Sequence, residues 1–313
     1  MGSPLDRMYT DTMEPEETAV FHQILEYIGR GACTAKVDHI SHDSIRKAIN
    51  AARMTNPDFT NRFSERYTIV NRGYEYVLEF EPLLPPETLK RYEKKSQEAV
   101  AKLVRRATEH SSNQYETVLN LHDELVKGVM YSTERTERHP NIYNSFAPLV
   151  DKVAACQGIS LAFLLLCREC NIECGAVCNM GMLHAWNMVG IDGHYCNIDA
   201  TWDLNDDDPY RDYLNISDRR FMSNHLCKLG PQCTTDKYDW YRMNGLYMAD
   251  LSDVYDCIKT SYSKGKHRAD LEYGNLLKDD VFAVLKDLQE NYFRKSSSFI
   301  LNDKINVVHV EWG

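Results

Sequence analysis

Apolar residues recur at helical spacing over residues 16–28, at Val20, Phe21, Ile24, Leu25 and Ile28, and Gly29 and Gly31 end the run. Ser41, with Asp43 in the first turn and Ile45, Ala48, Ile49 and Ala52 behind it, predicts a second, capped helix to about Met54, stopped by Asn56-Pro57. The period then falls to two. Residues 65–70 and 74–80 alternate as two strands of a hairpin that turns at Asn71-Arg72-Gly73. Pro82, Pro85 and Pro86 interrupt both periods and mark a boundary.

Beyond it, residues 87–110 form a charged helix, and residues 115–127 a second with Val118, Leu121, His122 and Leu125 on one side. Residues 158–169 read as an apolar helix with the stripe Ile159, Ala162, Phe163 and Leu166. Residues 174–178, 185–191 and 195–199 read as short strands, the last two joined at Asp192-Gly193. After Gly230-Pro231, helices over about 250–260 and 277–292 precede strands near 299–301 and 305–310, with the turn at Asn302-Asp303. Each end of the chain therefore carries helices followed by a hairpin, a faint echo that falls short of a repeat. The expectation is an α+β chain in three parts: an N-terminal accessory unit (1–85), a core (86–230) and a C-terminal accessory unit (231–313). The first thirteen residues carry no basic start or apolar stretch and read as a frayed beginning.

Composition narrows the function classes. The 313 residues carry 36 Lys+Arg against 46 Asp+Glu, a net charge of −10, with a mean hydropathy of −0.49. No apolar run approaches the roughly 18 residues of a membrane span. Phosphate neutralisation needs clustered cations, and the one dense group, Lys90, Arg91, Lys94 and Lys95, is a mixed helix face, so nucleic acid is not expected as partner. Ten cysteines lack a pairing pattern in a chain large enough to need no staples, so free thiols and a cytoplasmic setting are expected, a leader removed earlier remaining compatible. Cys167 and Cys170 have zinc-like spacing without a second ligand pair. Asp203, Asn205 and Asp207 match the start of a calcium loop, but Asp208 stands where glycine is needed and Leu214 where glutamate is; a solvated loop is expected, with no metal and no cofactor.

Cys156, His184 and Asp199 carry the strongest chemical signal. Cys156 precedes an apolar helix, where the positive end of the dipole favours thiolate and first-turn amides face outward for an oxyanion. If the strands on either side of Asp192-Gly193 pair, His184 and Asp199 become neighbours, and an acid beside an imidazole fixes its tautomer. His122 reads as a core histidine, His139 as a loop residue, and His194 and His225 as structural or surface residues.

The blocks Cys156-Gln157-Gly158, His184-Ala185-Trp186-Asn187 and Asp199-Ala200-Thr201-Trp202-Asp203 resemble the transglutaminase-like superfamily of papain-type cysteine enzymes, in that order and spacing. The resemblance covers about residues 115–225, and the flanking units look like the accessory parts of bacterial members. It implies a helix packed on an antiparallel sheet, with Cys156 as nucleophile, His184 as base and acid, and Asp199 as orienting carboxylate. It also implies acyl transfer on a peptide or protein substrate: hydrolysis of a peptide or other amide, or transfer from amide to amine. A catalytically silent binding module of the same fold is the third reading. Gln157 and Tyr143 are candidates for the oxyanion site, and Trp186 and Trp202 for the cleft wall or its support. Leu183 stands where the family often has glycine before the histidine, and Ile159-Ser160 replaces its common Tyr-Ala or Tyr-Ser. Oligomeric state is not legible in the sequence.

Overall fold

The computed structural model describes residues 2–136, 141–205, 208–226, 229–293 and 296–313. His139, Asp207 and Cys227 lie outside them.

Helix α1 (Pro4–Arg7) is capped by Ser3, whose hydroxyl accepts from Asp6 N. Leu5 and Met8 are buried in one cluster with Val177, Trp186 and Met188, and the Tyr9 hydroxyl donates to the Ala176 carbonyl at 3.0 Å. The chain's first residues are therefore anchored rather than frayed. The anchoring side chains Leu5, Met8 and Tyr9 follow no helical or strand period long enough to show it.

Helix α2 (Pro15–Gly29), strand β1 (Thr34–Asp38), helices α3 (His42–Thr55) and α4 (Pro57–Arg62), and strands β2 (Phe63–Asn71) and β3 (Glu75–Pro82) follow. The sheet order is β1-β3-β2, antiparallel throughout. Val20, Phe21, Ile24 and Ile28 from α2 and Ile45, Ala48, Ile49 and Ala52 from α3 form one core with Ala35, Val37, Leu78 and Phe80. Ser41 caps α3 by accepting from Ser44 N. Strand β1 has only two inward residues, Ala35 and Val37, too few to show a period.

The middle of the chain holds α5 (Pro86–Thr108), α6 (Gln114–Val126), β4 (Met130–Tyr131) paired in parallel with β5 (Val153–Ala154), and α7 (Cys156–Glu169). Strands β6 (Cys174–Asn179), β7 (His184–Ile191), β8 (His194–Ile198) and β9 (Leu214–Ile216) make an antiparallel sheet in that order. Ile159, Ala162, Phe163 and Leu166 of α7 meet Ala185, Val189 and Ile191 of β7 in the largest core. The opposite face, with Val177, Trp186 and Met188, is covered by Phe221 of α8 (Asp218–Phe221), Tyr241 of α9 (Trp240–Met243), and Ile305 and Val307 near the C-terminus.

The last part comprises α10 (Leu251–Ser263), β10 (Arg268–Glu272), α11 (Lys278–Asn291), β11 (Ser297–Asn302) and β12 (Val307–Trp312), with sheet order β10-β12-β11. Apart from the short α4, this repeats the order of elements from α2 to β3: helix, strand, helix, hairpin, with the last strand in the centre. The echo in the sequence is thus a shared fold, obscured because β1 and β10 are short.

The loop after Asp199 departs from the solvated reading. Asp203 is fully buried, accepts from Tyr213 N at 3.1 Å and lies 3.2 Å from His122 Nε2, while Asp208 pairs with Arg268 at 3.0 Å. The nine described cysteines are free thiols. Among the described residues no helix is long and apolar enough to cross a membrane.

Candidate active site

Cys156 is the first residue of α7, and Ala155 before it is extended and offers no side-chain cap. First-turn amides of a helix have no intrahelical acceptor. The helix end is set by backbone contact: Ala155 N donates to the Ile142 carbonyl at 2.8 Å, and Gly158 lies directly against the same segment. A Cβ on Gly158 would stand 2.6 Å from the Ile142 oxygen and 2.9 Å from that of Asn144. Helix α4 braces this segment, since Ser145 Oγ donates to Asn61 Oδ1 at 3.0 Å. Gly158→Ala is therefore expected to destabilise the protein by about 2–3 kcal/mol, read as a lower urea midpoint with an unchanged slope.

His184 opens β7 and Asp199 follows β8 directly. The register Asn187↔Ile198 sets Asp199 opposite Trp186, so His184 is its diagonal neighbour on the same face rather than its direct partner. His184 Nε2 donates to Asp199 Oδ2 at 2.6 Å. Asp199 is 0% exposed. Its Oδ1 accepts from the amides of Thr201 at 3.0 Å and Trp202 at 3.2 Å. Burial works against the Asp199 charge, but hydrogen bonds from His184 and His225 outweigh it and hold the carboxyl below the usual range. With Nε2 committed to Asp199, Nδ1 is the nitrogen that meets Cys156. Burial opposes the His184 charge too, yet hydrogen bonds to Asp199 and Cys156 push its pKa up to about 10. Leu183, immediately before His184, adopts a left-handed φ of 51° and is 78% exposed. Most L-residues avoid that region, which explains the glycine common in the resembling family.

The other residues named from the sequence fall into distinct places. Trp202, 39% exposed, stacks on the His184 ring at 5.5 Å and forms part of the wall. Trp186 is buried beneath, 6.0 Å from the same ring and packed on Phe221. Gln157 spends its amide on the Tyr143 carbonyl at 3.1 Å, and the Tyr143 hydroxyl donates to the Thr133 carbonyl at 2.9 Å. Both side chains thereby shape the loop in front of Cys156. His194 is exposed, and His122 is buried between Asp123 and Asp203.

Two residues of the site escaped the sequence reading. The Tyr131 phenol is pushed up by burial and by the neighbouring Cys156 sulfur, which places it beside the thiol. His225 is fully buried, and its Nε2 donates to Asp199 Oδ2 at 2.9 Å. Tyr131 and His225 offered no local signal, because Cys156 and Asp199, the groups they meet, lie 25 and 26 positions away in the chain.

A helix end bearing a thiol, laid on an antiparallel sheet that presents an imidazole and a carboxylate, is a papain-like α+β arrangement. Residues 101–200 match the family description of the transglutaminase-like superfamily, and this segment is similar to that superfamily. No curated protein matches. Among solved structures the chain is similar to a TGase, at 14% identity over 55% of this chain and 51% of that chain, TM-score 0.31. It is also similar to a candidate cysteine protease from Cytophaga hutchinsonii, at 16% identity over 44% and 61%, TM-score 0.27. A third is the periplasmic domain of TgpA from Pseudomonas aeruginosa bound to ethylmercury, at 14% identity over 42% and 56%, TM-score 0.27. The chain spans about half to three-fifths of the length of these structures.

Proposed function

We propose that the protein is a cysteine-dependent hydrolase of peptide or other amide bonds that works through a thioester at Cys156. The observation that carries this reading is the convergence of three groups, with Cys156 at an uncapped helix end facing an imidazole whose far nitrogen is held by a buried carboxylate. In the proposed reaction the Cys156 thiolate attacks the substrate carbonyl carbon and the oxyanion forms against first-turn amides of α7. His184 Nδ1–H then protonates the departing amine, the C–N bond breaks and a thioester remains. Water, giving its proton back to Nδ1, attacks the thioester and expels the thiolate. Asp199 holds the imidazole in the required tautomer throughout.

A pocket that could take a substrate side chain is lined in part by Gln157, the residue after the thiol. A cavity of about 470 Å³ opens between α3 and the core next to Gln157, walled by Met13, Asn50, Arg53, Met54 and Met180. The three methionines suit an apolar side chain and adapt to several shapes, while Asp43, Arg46, Lys47 and Glu65 add charge to the same walls.

The test is a mixture of natural peptides incubated with the protein in heavy-oxygen water plus a primary amine. Hydrolysis predicts new C-termini carrying the heavy oxygen; exclusive incorporation of the amine would replace this reading by amide-to-amine transfer. The pH profile adds a second check. The His184 imidazolium, held up to about 10, is present through the neutral range and is lost as pH rises through that value. Peptide cleavage, which needs this proton, is expected to fall on an alkaline limb near 10, whereas alkylation of Cys156 needs no acid and is expected not to fall there. The stability that the raised pKa contributes is complete below the ordinary histidine value of 6.5, is lost progressively as pH rises above it, and is gone by about 10.

A further inference from the structure

Asp199 Oδ2 receives two imidazoles, and only one of them belongs to the reaction proposed above. His225 Nε2 reaches the same oxygen at 2.9 Å that His184 reaches at 2.6 Å. The His225 ring is boxed by aromatic side chains: stacked on Phe221 at 3.8 Å, 4.3 Å from Trp202, 5.2 Å from Trp186 and 5.5 Å from Tyr213. Its Nδ1 lies 2.7 Å from the Asn224 amide, which lies 2.6 Å from the Tyr213 hydroxyl. Asn302, at the end of β11, donates to that hydroxyl at 3.1 Å and to Asp212 Oδ2 at 3.3 Å. An unbroken polar chain therefore runs from the C-terminal sheet to the carboxylate beside the thiol.

We infer that His225 is a positioning residue for the Asp199–His184 pair, and that the C-terminal unit sets it through Asn302, Tyr213 and Asn224. The inference rests on the reading of Cys156 as nucleophile. Four donors surround Asp199: two amides on Oδ1 and two imidazoles on Oδ2. With every side occupied, the carboxylate cannot rotate, and the direction in which it holds His184 is fixed. Without the His225 donor, Oδ2 keeps one partner and the His184 ring gains freedom to turn away from Cys156. A metal ion is the competing reason for two histidines and a carboxylate to gather, and their ligand atoms do lie within 4.8 Å of one another. The contacts of 2.6 and 2.9 Å are proton-sharing distances. Two ligands of a tetrahedral zinc, each about 2.0–2.1 Å from the ion, stand roughly 3.3 Å apart. The trio is closed by protons.

The experiment uses the full chain with His225→Gln, His225→Leu and Tyr213→Phe. The readouts are the rate of Cys156 alkylation by iodoacetamide at neutral pH and the downfield imidazole N–H proton resonances. Glutamine can donate to Asp199; leucine fills space without a donor. The expected result is a fall of about tenfold or more in the alkylation rate for His225→Leu, recovery to within about threefold for His225→Gln, and an intermediate loss for Tyr213→Phe. The His184–Asp199 proton resonance is expected to shift in His225→Leu and Tyr213→Phe. If the leucine variant does not fold, Tyr213→Phe against His225→Gln decides by the same readouts. Wild-type rates and unshifted resonances in Tyr213→Phe and His225→Leu would overturn the inference, as would equal losses in the glutamine and leucine variants. If wild-type Cys156 reacts no faster than the other thiols, it is the nucleophile reading that fails, and the resonances still decide the role of His225.

Discussion

Cys156→Ala is expected to abolish peptide cleavage, with a loss of roughly 10⁴-fold or more, while leaving the fold and its thermal midpoint nearly unchanged. The size follows from the proposed chemistry. In nucleophile–base sites, removing the nucleophile costs about as much as removing the whole set, because the remaining groups have nothing to act on. The small effect on stability follows from the position. Cys156 sits at the first turn of α7 with a short side chain, whereas Ile159, Ala162, Phe163 and Leu166 bind that helix to the sheet. Cleavage assays on purified variant and wild type, with urea unfolding of both, make the check. Comparable cleavage by both proteins would remove Cys156 from the reaction.

Asp199 is expected to behave differently, because its loss damages both reaction and fold. Asp199→Ala strands the Nε2 donors of His184 and His225 in a buried site, along with the amides of Thr201 and Trp202. Unsatisfied buried donors cost about 1–3 kcal/mol each before relaxation, so a loss of a few kcal/mol is expected. Asp199→Asn is the sharper test. Whichever way the amide is turned, its NH₂ faces two donors, either the pair of backbone amides or the pair of imidazoles. Relief requires His184 to give up its Nε2 proton, which leaves a neutral ring protonated at Nδ1 that can neither pair with the Cys156 thiolate as imidazolium nor take the proton of the attacking water. A wrong tautomer of this kind costs on the order of 10⁴ in rate. Cleavage kinetics and unfolding of the two variants separate the effects: asparagine is expected to match alanine in lost activity and to exceed it in stability. Retention of most activity in Asp199→Asn would show that the carboxylate does not set the imidazole.

Much of the site was legible because its signals are local. A cysteine before a long apolar stripe announces a helix end, and alternation on both sides of Asp192-Gly193 announces a hairpin. What the sequence could not show is the set of contacts between distant segments. His225 lies 26 positions from Asp199, and the polar chain from it ends at Asn302 in β11. No periodicity encodes such a meeting. Asp203 misled for the opposite reason: its acidic neighbours suggested solvent, whereas His122 and the Tyr213 amide give its carboxylate partners indoors. The flanking units were half legible. Their helices and hairpins appear in the pattern, but β1 and β10 are five residues each, and β10 is paired through polar as well as apolar positions. Without them the common plan of the two ends could be sensed but not stated.

The duplicated plan bears on the site. Helix α4 braces the segment in front of Cys156 through Asn61 and Ser145, and strand β11 reaches Asp199 through Asn302, Tyr213, Asn224 and His225. Cys156 and Asp199 are thus each steadied from outside the central sheet. Such support matters because a displacement of about 1 Å at a reacting group can cost on the order of 10²-fold in rate.

The most direct test of the central claim is alkylation by iodoacetamide, mapped by peptide, from about pH 5 to about pH 9 on the wild type and on His184→Ala. Labelling concentrated at Cys156, persisting at the acidic end and lost in the variant, is the predicted result. Labelling of Cys156 no faster than that of the other cysteines, in both proteins, would contradict an activated Cys156–His184 pair.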